Sequence, residues 1–521
     1  MNTTEFLSIA AAICPDRAAI VFEGRKLAFA ELLERANRLA NAMLAMGVKK
    51  GDRVAVLQVN CPQYVEAYFA TAKVGAIFVP LNFRAKQDEL SHMLDNSGSK
   101  ILFFGERYID MVMSMRIKLA SAPRLVCLDG GAVSMADYDG MLAHFPLDEV
   151  ITEIDDEDTT ILMYTAGTTG LPKGVPLKHS AFSVYVLENV SPPDPETQET
   201  NILSVPLYHV AGMHGILAAV FGGRTVALMR QFEVNEWMDT VEKERANRAV
   251  LVPTMLKRII EHPQFHDKDL SSMKVITYGA ASMPFEVIRK AIEMLPGVMF
   301  INAFGQTETA STITVLGPED HRFTGRESQE EKRKKWNRLA NSIGRPMSDI
   351  EMQIWDEKGN ALPVGEVGEI MARGERVMRG YWKDAEKTAK TLSADGWLHT
   401  GDMGYEDEDG YIFLAGRGDD MIIRGGENIS PEEVENVLSA HPKVDDASVI
   451  GVPDSEWGHN PRAVIVLKAG ETATEAEIID FCKDKMSGFK RPRSVVFIDE
   501  LPRTTTGKVQ RKVLREKYGQ P

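Results

Sequence analysis

One stretch limits what this chain can fold into more than any other. An apolar run with strand character, Thr159-Thr160-Ile161-Leu162-Met163-Tyr164, feeds straight into Thr165-Ala166-Gly167-Thr168-Thr169-Gly170-Leu171-Pro172-Lys173-Gly174. Glycines in such a loop let backbone N–H groups approach a polyphosphate, hydroxyls add donors, and Lys173 supplies a mobile positive charge. The spacing is not that of the P-loop, because only two residues separate Gly170 from Lys173 and Gly174 follows the lysine. Taken alone, the loop could equally be a plain surface turn, so its meaning depends on what lies around it.

The surroundings read as α/β. Leu32, Ala36, Leu39 and Met43 recur at helical spacing, Arg53–Leu57 reads as a strand, 63–74 as a helix, and 76–81 and 100–104 as short strands. The apolar stretch 6–13 lacks a basic flank and reads as a buried first helix rather than a leader. Strands at 249–252, 275–278 and 298–301 continue the alternation, which points to largely parallel sheets whose carboxyl ends gather ligands. From about 345 the turn signals 356–360 and 406–410 announce a more antiparallel, β-rich subdomain running to 416. The charged segment 325–335 reads as a solvated excursion. Residues 417–420 look like a connector, and 421–521 suffice for a small, separate α+β domain. At 521 residues the chain is too long for one core.

A net charge of −15 argues against nucleic acid or an anionic membrane as the main partner. No apolar run is long enough to span a bilayer. Four scattered cysteines, without metal-site spacing, fit a reducing cytoplasm.

Further clusters follow the opening loop. Gly279-Ala280-Ala281-Ser282 offers small residues after a strand, where a flat ring could slide against backbone. Asn302-Ala303-Phe304-Gly305-Gln306-Thr307-Glu308 offers a ring for stacking, a hydroxyl for phosphate and a carboxylate for an oxygen-seeking ion such as Mg²⁺. Asp402 follows a glycine turn and could accept two ribose hydroxyls, and Lys508 sits on a second Thr/Gly loop. Each alone has a bland reading as turn, core or solvated residue.

Together and in this order the clusters resemble the adenylate-forming superfamily of acyl-CoA synthetases, luciferases and peptide-synthetase adenylation domains, over nearly the whole chain. The closest likeness is to an AMP-forming acyl-CoA synthetase. The resemblance implies ATP, Mg²⁺ and coenzyme A as reactants and cofactors, a carboxylic acid as substrate, and a mobile C-terminal lid on a large α/β domain. It implies that Thr165, Ala166, Gly167, Thr168, Thr169, Gly170 and Lys173 hold the β- and γ-phosphates. Gly279, Ala280, Ala281, Asn302, Phe304 and Gly305 would surround adenine, and Asp402 with Arg417 would hold the ribose. Thr307 would contact the α-phosphate, Glu308 the Mg²⁺, and Lys508 would bridge carboxylate and α-phosphate. Asp419 matches the hinge position. Gly425, Gly426 and Glu427 would line a pantetheine tunnel after lid rotation. His209 borders the carboxylate, as a gate more than as an acid–base catalyst.

Two positions depart from the commoner pattern: Ala166 lacks a hydroxyl and Phe304 replaces a tyrosine. Val210, Met213, His214, Ala303, Ala310 and Ser311 are candidates for the acyl pocket. They contain no arginine, which favours a medium-size aliphatic, cyclic or aromatic monocarboxylate over a dicarboxylate. Residues 485–517 hold ten basic and three acidic side chains, a surface suited either to phosphates of CoA or a carrier-protein arm, or merely to water. A stand-alone adenylating enzyme that loads a carrier protein or releases acyl-AMP is the alternative reading. A homodimer and a lysine acetyltransferase acting on Lys508 are further expected partners.

Overall fold

The computed structural model describes residues 1–130, 136–165, 171–417, 420–425, 427–504 and 508–520. Two large sheets and one small one organise them. In the first sheet seven strands run in the order 136–137, 124–127, 101–104, 53–57, 77–80, 159–165, 173–178. All neighbours are parallel except the last pair, in which Lys173–Lys178 folds back antiparallel on Thr159–Thr165. The opening loop is therefore the connection of this hairpin, at the carboxyl end of a strand in a mostly parallel sheet.

The second sheet has thirteen strands. A parallel block at 18–22, 225–228, 200–203, 248–251, 275–279 and 299–306, edged by the antiparallel strand 25–28, continues into antiparallel strands at 311–316, 342–346, 412–417, 398–406, 368–374 and 350–355. The β-rich region expected from 345 is thus hydrogen-bonded onto the parallel sheet, not separated from it. Arg417 is the last residue of a strand of this sheet, one step inside the expected connector.

Helices fill the space between the sheets because their sequences demand burial. The helix Phe29–Ala45 turns Leu32, Ala36, Leu39, Ala40 and Met43 inward, each fully buried. Pro62–Lys73 is buried on nearly all sides, and so its charged residues are paired: Glu66 accepts from Arg35 at 2.8 Å and from the Tyr138 hydroxyl at 2.6 Å. The first helix, Thr4–Ile13, packs into the same core. The segment expected as a solvated excursion starts a helix at Gln329–Asn341. Ser328 and Glu331 cap it reciprocally, and Trp336 stacks on Phe323 at 4.1 Å.

The lid has its own five-stranded sheet (427–429, 422–424, 458–467, 444–454, with 494–497 pairing onto 458–467) and its own core around Ile422, Val434, Leu438, Val449 and Ile465. It touches the large domain through Lys257, whose ammonium lies 2.8 Å from the Asp445 carboxylate, and through Asn436, which donates to the Ala340 carbonyl at 3.2 Å. All four cysteines are buried and none is in a disulfide. Among the described residues no helix is long and apolar enough to cross a membrane.

His179 joins the N-terminus to the first sheet. Its Nδ1 lies 2.8 Å from the Thr3 hydroxyl, which lies 2.7 Å from the Tyr68 hydroxyl. Burial pushes the imidazole down to about 4. A histidine lowered on folding contributes stability that is present above its unfolded value near 6.5 and is lost as pH falls from there toward 4. Thermal unfolding should therefore show the melting temperature falling steeply between pH 6.5 and 4.5, and the slope should be visibly shallower in His179→Asn.

Candidate active site

The phosphate side is built where the two large sheets meet. Residues 166–170, expected to cradle phosphates, lie outside the described residues, as do Asp419 and Gly426. The described flanks carry their own signal: the Thr165 hydroxyl oxygen is buried without a hydrogen-bond partner, the kind of orphan a ligand oxygen would satisfy. Lys173 opens the return strand, with its ammonium 4.7 Å from the centre of the Tyr381 ring and 3.4 Å from the Tyr381 hydroxyl. That hydroxyl donates to Glu308 Oε1 at 2.9 Å.

The backbone of the same segment grips both sheets. The Met378 N–H donates to the Glu308 carbonyl, and the Trp382 N–H to the Gly174 carbonyl, each at 2.8 Å. Nothing in the sequence around Tyr381 marked it as part of the site.

On the nucleoside side, Gly279 and Gly305 are required by close backbone approach. A Cβ at Gly279 would lie 2.1 Å from the Ala303 carbonyl oxygen, and one at Gly305 1.6 Å from that of Ser311. Ala280, Ala310 and Ser311 hold positive φ (67°, 52° and 110°), an arrangement that costs non-glycine residues energy and concentrates at functional sites. Phe304 is half-buried and packs against two small cores, Ile343 with Ile354, Ile370 and Ile412, and Ile313 with Ile350 and Ala372, so it is a wall as much as a stacking face. Asn302 lies on the same strand as Phe304, and Ala281 on the turn beyond Gly279, both partly exposed.

Thr307 and Glu308 form a short 3₁₀ turn capped by Gln306 and Thr309. Asp402 and Arg417, expected as a ribose pair, are cross-strand neighbours in register. Asp402 is 5% exposed, and one of its oxygens accepts from Gln306 Nε2 at 2.8 Å. Gln306, which also donates to the Thr400 carbonyl at 2.9 Å, orients the carboxylate and escaped notice because its neighbours Phe304 and Glu308 carry the obvious chemistry.

The acid side gathers around the helix Val210–Phe221, which packs on the strand Ser311–Leu316. His209 caps that helix. Its Nε2 is buried without a hydrogen-bond partner, and burial, the Lys508 charge and the Arg84 charge push it down to about 3. The expected lid cation thus lies within electrostatic reach of the expected gate. Lys508 itself is exposed.

His214 lies one turn further along, 4.4 Å edge-on from Tyr185 and 6.4 Å from Phe182, and burial pushes it to about 3 as well. Val210, Ala303 and Ser311 are partly exposed, whereas Met213 and Ala310 are each 1% exposed. These last two shape the wall from behind rather than offer surface. Gly425 and Glu427 sit on the lid hairpin of 422–424 and 427–429, with Gly425 at φ +60° against the Trp457 ring.

The arrangement fits a magnesium nucleotide. Glu308 is a single carboxylate, and no cluster of three or more metal-ligating side chains occurs among the described residues. That is the donor set expected where substrate phosphates and water complete the Mg²⁺ shell. A carboxylate on one sheet and a lysine on the other, joined through one tyrosine hydroxyl, suit an adenylate-forming enzyme.

The comparisons agree. Residues 7–382 match the AMP-binding enzyme family and 433–508 the AMP-binding enzyme C-terminal domain, and the chain belongs to this family. It is 36% identical over 510 residues to feruloyl-CoA synthase of Amycolatopsis sp., covering 98% of this chain and 97% of that protein. Its fold is similar to that of ATP-bound MatB from Rhodopseudomonas palustris (TM-score 0.87, 28% identity, 100% and 99% of the two chains). It is also similar to the anthranilate CoA ligase AuaEII in complex with anthranoyl-AMP (TM-score 0.89, 28% identity, 99% and 97%).

Sequence reading also missed Arg376, which is 1% exposed beside the acid side. It forms a two-pronged pair with Asp349, with Nη2 to Oδ1 at 2.8 Å, donates to the Thr312 carbonyl, and lies 5.4 Å from the Tyr185 ring centre. Removing one partner of a buried pair strands the other charge. Arg376→Ala should cost about 3–5 kcal/mol in urea unfolding, and Arg376→Met with Asp349→Leu should recover most of it.

Proposed function

We propose that the chain is an AMP-forming carboxylate–CoA ligase that activates an aromatic monocarboxylic acid. The observation that carries the reading is the pairing of Lys173 on one sheet with Glu308 on the other through the Tyr381 hydroxyl, with a buried, neutral His209 at the head of the helix Val210–Phe221.

In the first step a carboxylate oxygen attacks the α-phosphorus of ATP and pyrophosphate leaves. Two anions must meet, and Lys508 would reduce their repulsion and stabilise charge on the phosphoryl oxygens. Thr307 would donate to the α-phosphate, Thr165 and Lys173 with the loop 166–170 would hold the departing phosphates, and Asp402 and Arg417 would fix the ribose. Gly279, Ala280, Ala281, Asn302, Phe304 and Gly305 would frame adenine. Mg²⁺ held at Glu308 would supply charge neutralisation across the phosphates. His209, neutral at working pH, would close the pocket without adding a positive charge.

In the second step a thiol attacks the acyl carbon and AMP leaves. Rotation of the lid about residues 417–420, with Asp419 as hinge, would withdraw Lys508 and bring Gly425, Gly426 and Glu427 to the site. Large domain 1–416 and lid 421–521 are the moving bodies of this proposal. On the lid, burial and then the Arg424 and Arg491 charges lower Arg493, so three guanidinium groups act on one neighbourhood, a feature suited to a phosphorylated thiol carrier.

Phe182, Tyr185 and His214 favour a flat ring, and Arg376 beside them is already matched by Asp349. The named substrates of the feruloyl and anthranilate relatives support the same class. A carrier protein is the rival acceptor, for which the basic lid surface is equally suited. Cytoplasmic residence and a homodimer complete the reading. An acetyltransferase acting on Lys508 would switch off the first step by removing its charge.

The test separates the two half-reactions. Aryl acids should give CoA thioesters with free CoA, at kcat/KM about 100-fold above that for malonate, a difference of two tenfold steps. Lys508→Ala should slow acid-dependent pyrophosphate release at least about 100-fold while thiol transfer to synthetic acyl-AMP stays near wild type. Pyrophosphate release without thioester would favour the carrier-protein acceptor. Unchanged adenylation in Lys508→Ala would overturn the assignment.

A further inference from the structure

Residues 378–382 form a strap that binds the two large sheets together at the point where a nucleotide's phosphates would lie. Met378 holds the backbone of the Glu308 turn, and Trp382 holds Gly174 on the far sheet. The fit at the second contact is close: a Cβ at Gly174 would come within 3.0 Å of the Trp382 Cβ. Between these two anchors Tyr381 is 8% exposed, and its own N–H is tied to the Thr388 hydroxyl at 2.9 Å. The Thr388 hydroxyl in turn donates to the Asp384 carbonyl at 2.7 Å.

The side chain completes a directed chain of donors. The Lys173 ammonium faces the tyrosine oxygen at 3.4 Å, and the tyrosine O–H faces Glu308 Oε1 at 2.9 Å. One carboxylate oxygen is thereby occupied, which fixes the plane of the group and aims the other oxygen. A metal carboxylate whose second oxygen is held by a hydrogen bond is a better-oriented ligand than a free rotor. The same hydroxyl sets the distance between Lys173 on one sheet and Glu308 on the other.

We infer that Tyr381 is a positioning residue for the magnesium–phosphate group: it presents Glu308 Oε2 to the metal and spaces Lys173 from it. This rests on the nucleotide-site reading given above. Hydrogen bonds to ionised groups are among the stronger ones, and losing one leaves Glu308 free to rotate.

Isothermal titration of wild type and Tyr381→Phe with ATP, in excess Mg²⁺ and in EDTA, tests the inference without turnover. The phenylalanine keeps the ring beside Lys173 and removes only the hydroxyl. Mg·ATP should bind Tyr381→Phe about tenfold more weakly, and metal-free ATP less than twofold more weakly. Unchanged Mg·ATP affinity overturns the inference, and so does an equal loss in both conditions, which would signal general loosening. A wild type with no preference for Mg·ATP over metal-free ATP would instead overturn the nucleotide-site reading itself.

Thr388→Val guards against poor folding of the first variant, since it loosens the strap and leaves every nucleotide-site residue in place. It should weaken Mg·ATP alone, by about threefold. Equal change in both conditions, or none in either, counts against Tyr381.

Discussion

The constraint on which the rest depends is the joining of two independently hydrogen-bonded sheets at one line of contact. One sheet carries Lys173, and the other carries Glu308, Gln306 and Asp402. The strap from Met378 to Trp382, hydrogen-bonded to Glu308 on one side and Gly174 on the other, sets the distance between those groups. Ala280, Ala310 and Ser311, close to the strand 275–279 and the turn of Glu308, hold positive φ. Local backbone cost is tolerated there because the surrounding sheets determine the geometry.

Electrostatics at the cleft follow from this packing. His209 and His214 are kept neutral by burial and by nearby cations, Lys508 and Arg84 for the first and Arg376 for the second. A neutral imidazole beside an incoming carboxylate avoids forming an ion pair that would hold the acid in its ground state. Positive charge near the site comes from Lys173 on the first sheet and from Lys508 on the small C-terminal domain. The small domain meets the large one through Lys257 with Asp445, through Asn436 with Ala340, and where the helix Pro431–Ser439 packs on the strand Ile412–Arg417.

Much of this was legible in the sequence because the chemistry needs small residues at strand ends. Gly279, Gly305 and the Thr/Gly loops are conspicuous for that reason, and the alternation of strands and helices placed them on parallel sheets. What escaped were residues whose role is relational. Tyr381 stands 73 residues from Glu308 and 208 from Lys173, and no local pattern marks the contact. Gln306 and Arg376 matter through Asp402 and Asp349, partners that only the fold supplies. The continuity of the β-rich region with the parallel sheet is likewise a matter of edge pairing, invisible to periodicity. Met213 and Ala310, expected among the acyl-pocket residues, are each 1% exposed and belong to the large buried core.

The central claim is that an acid oxygen bonds directly to the α-phosphorus of ATP. Turnover with a carboxylate substrate labelled with ¹⁸O in both oxygens, followed by mass spectrometry of the products, tests it most directly. The account requires one ¹⁸O atom in each AMP formed and none in pyrophosphate. Unlabelled AMP, or label in orthophosphate or pyrophosphate, would contradict it.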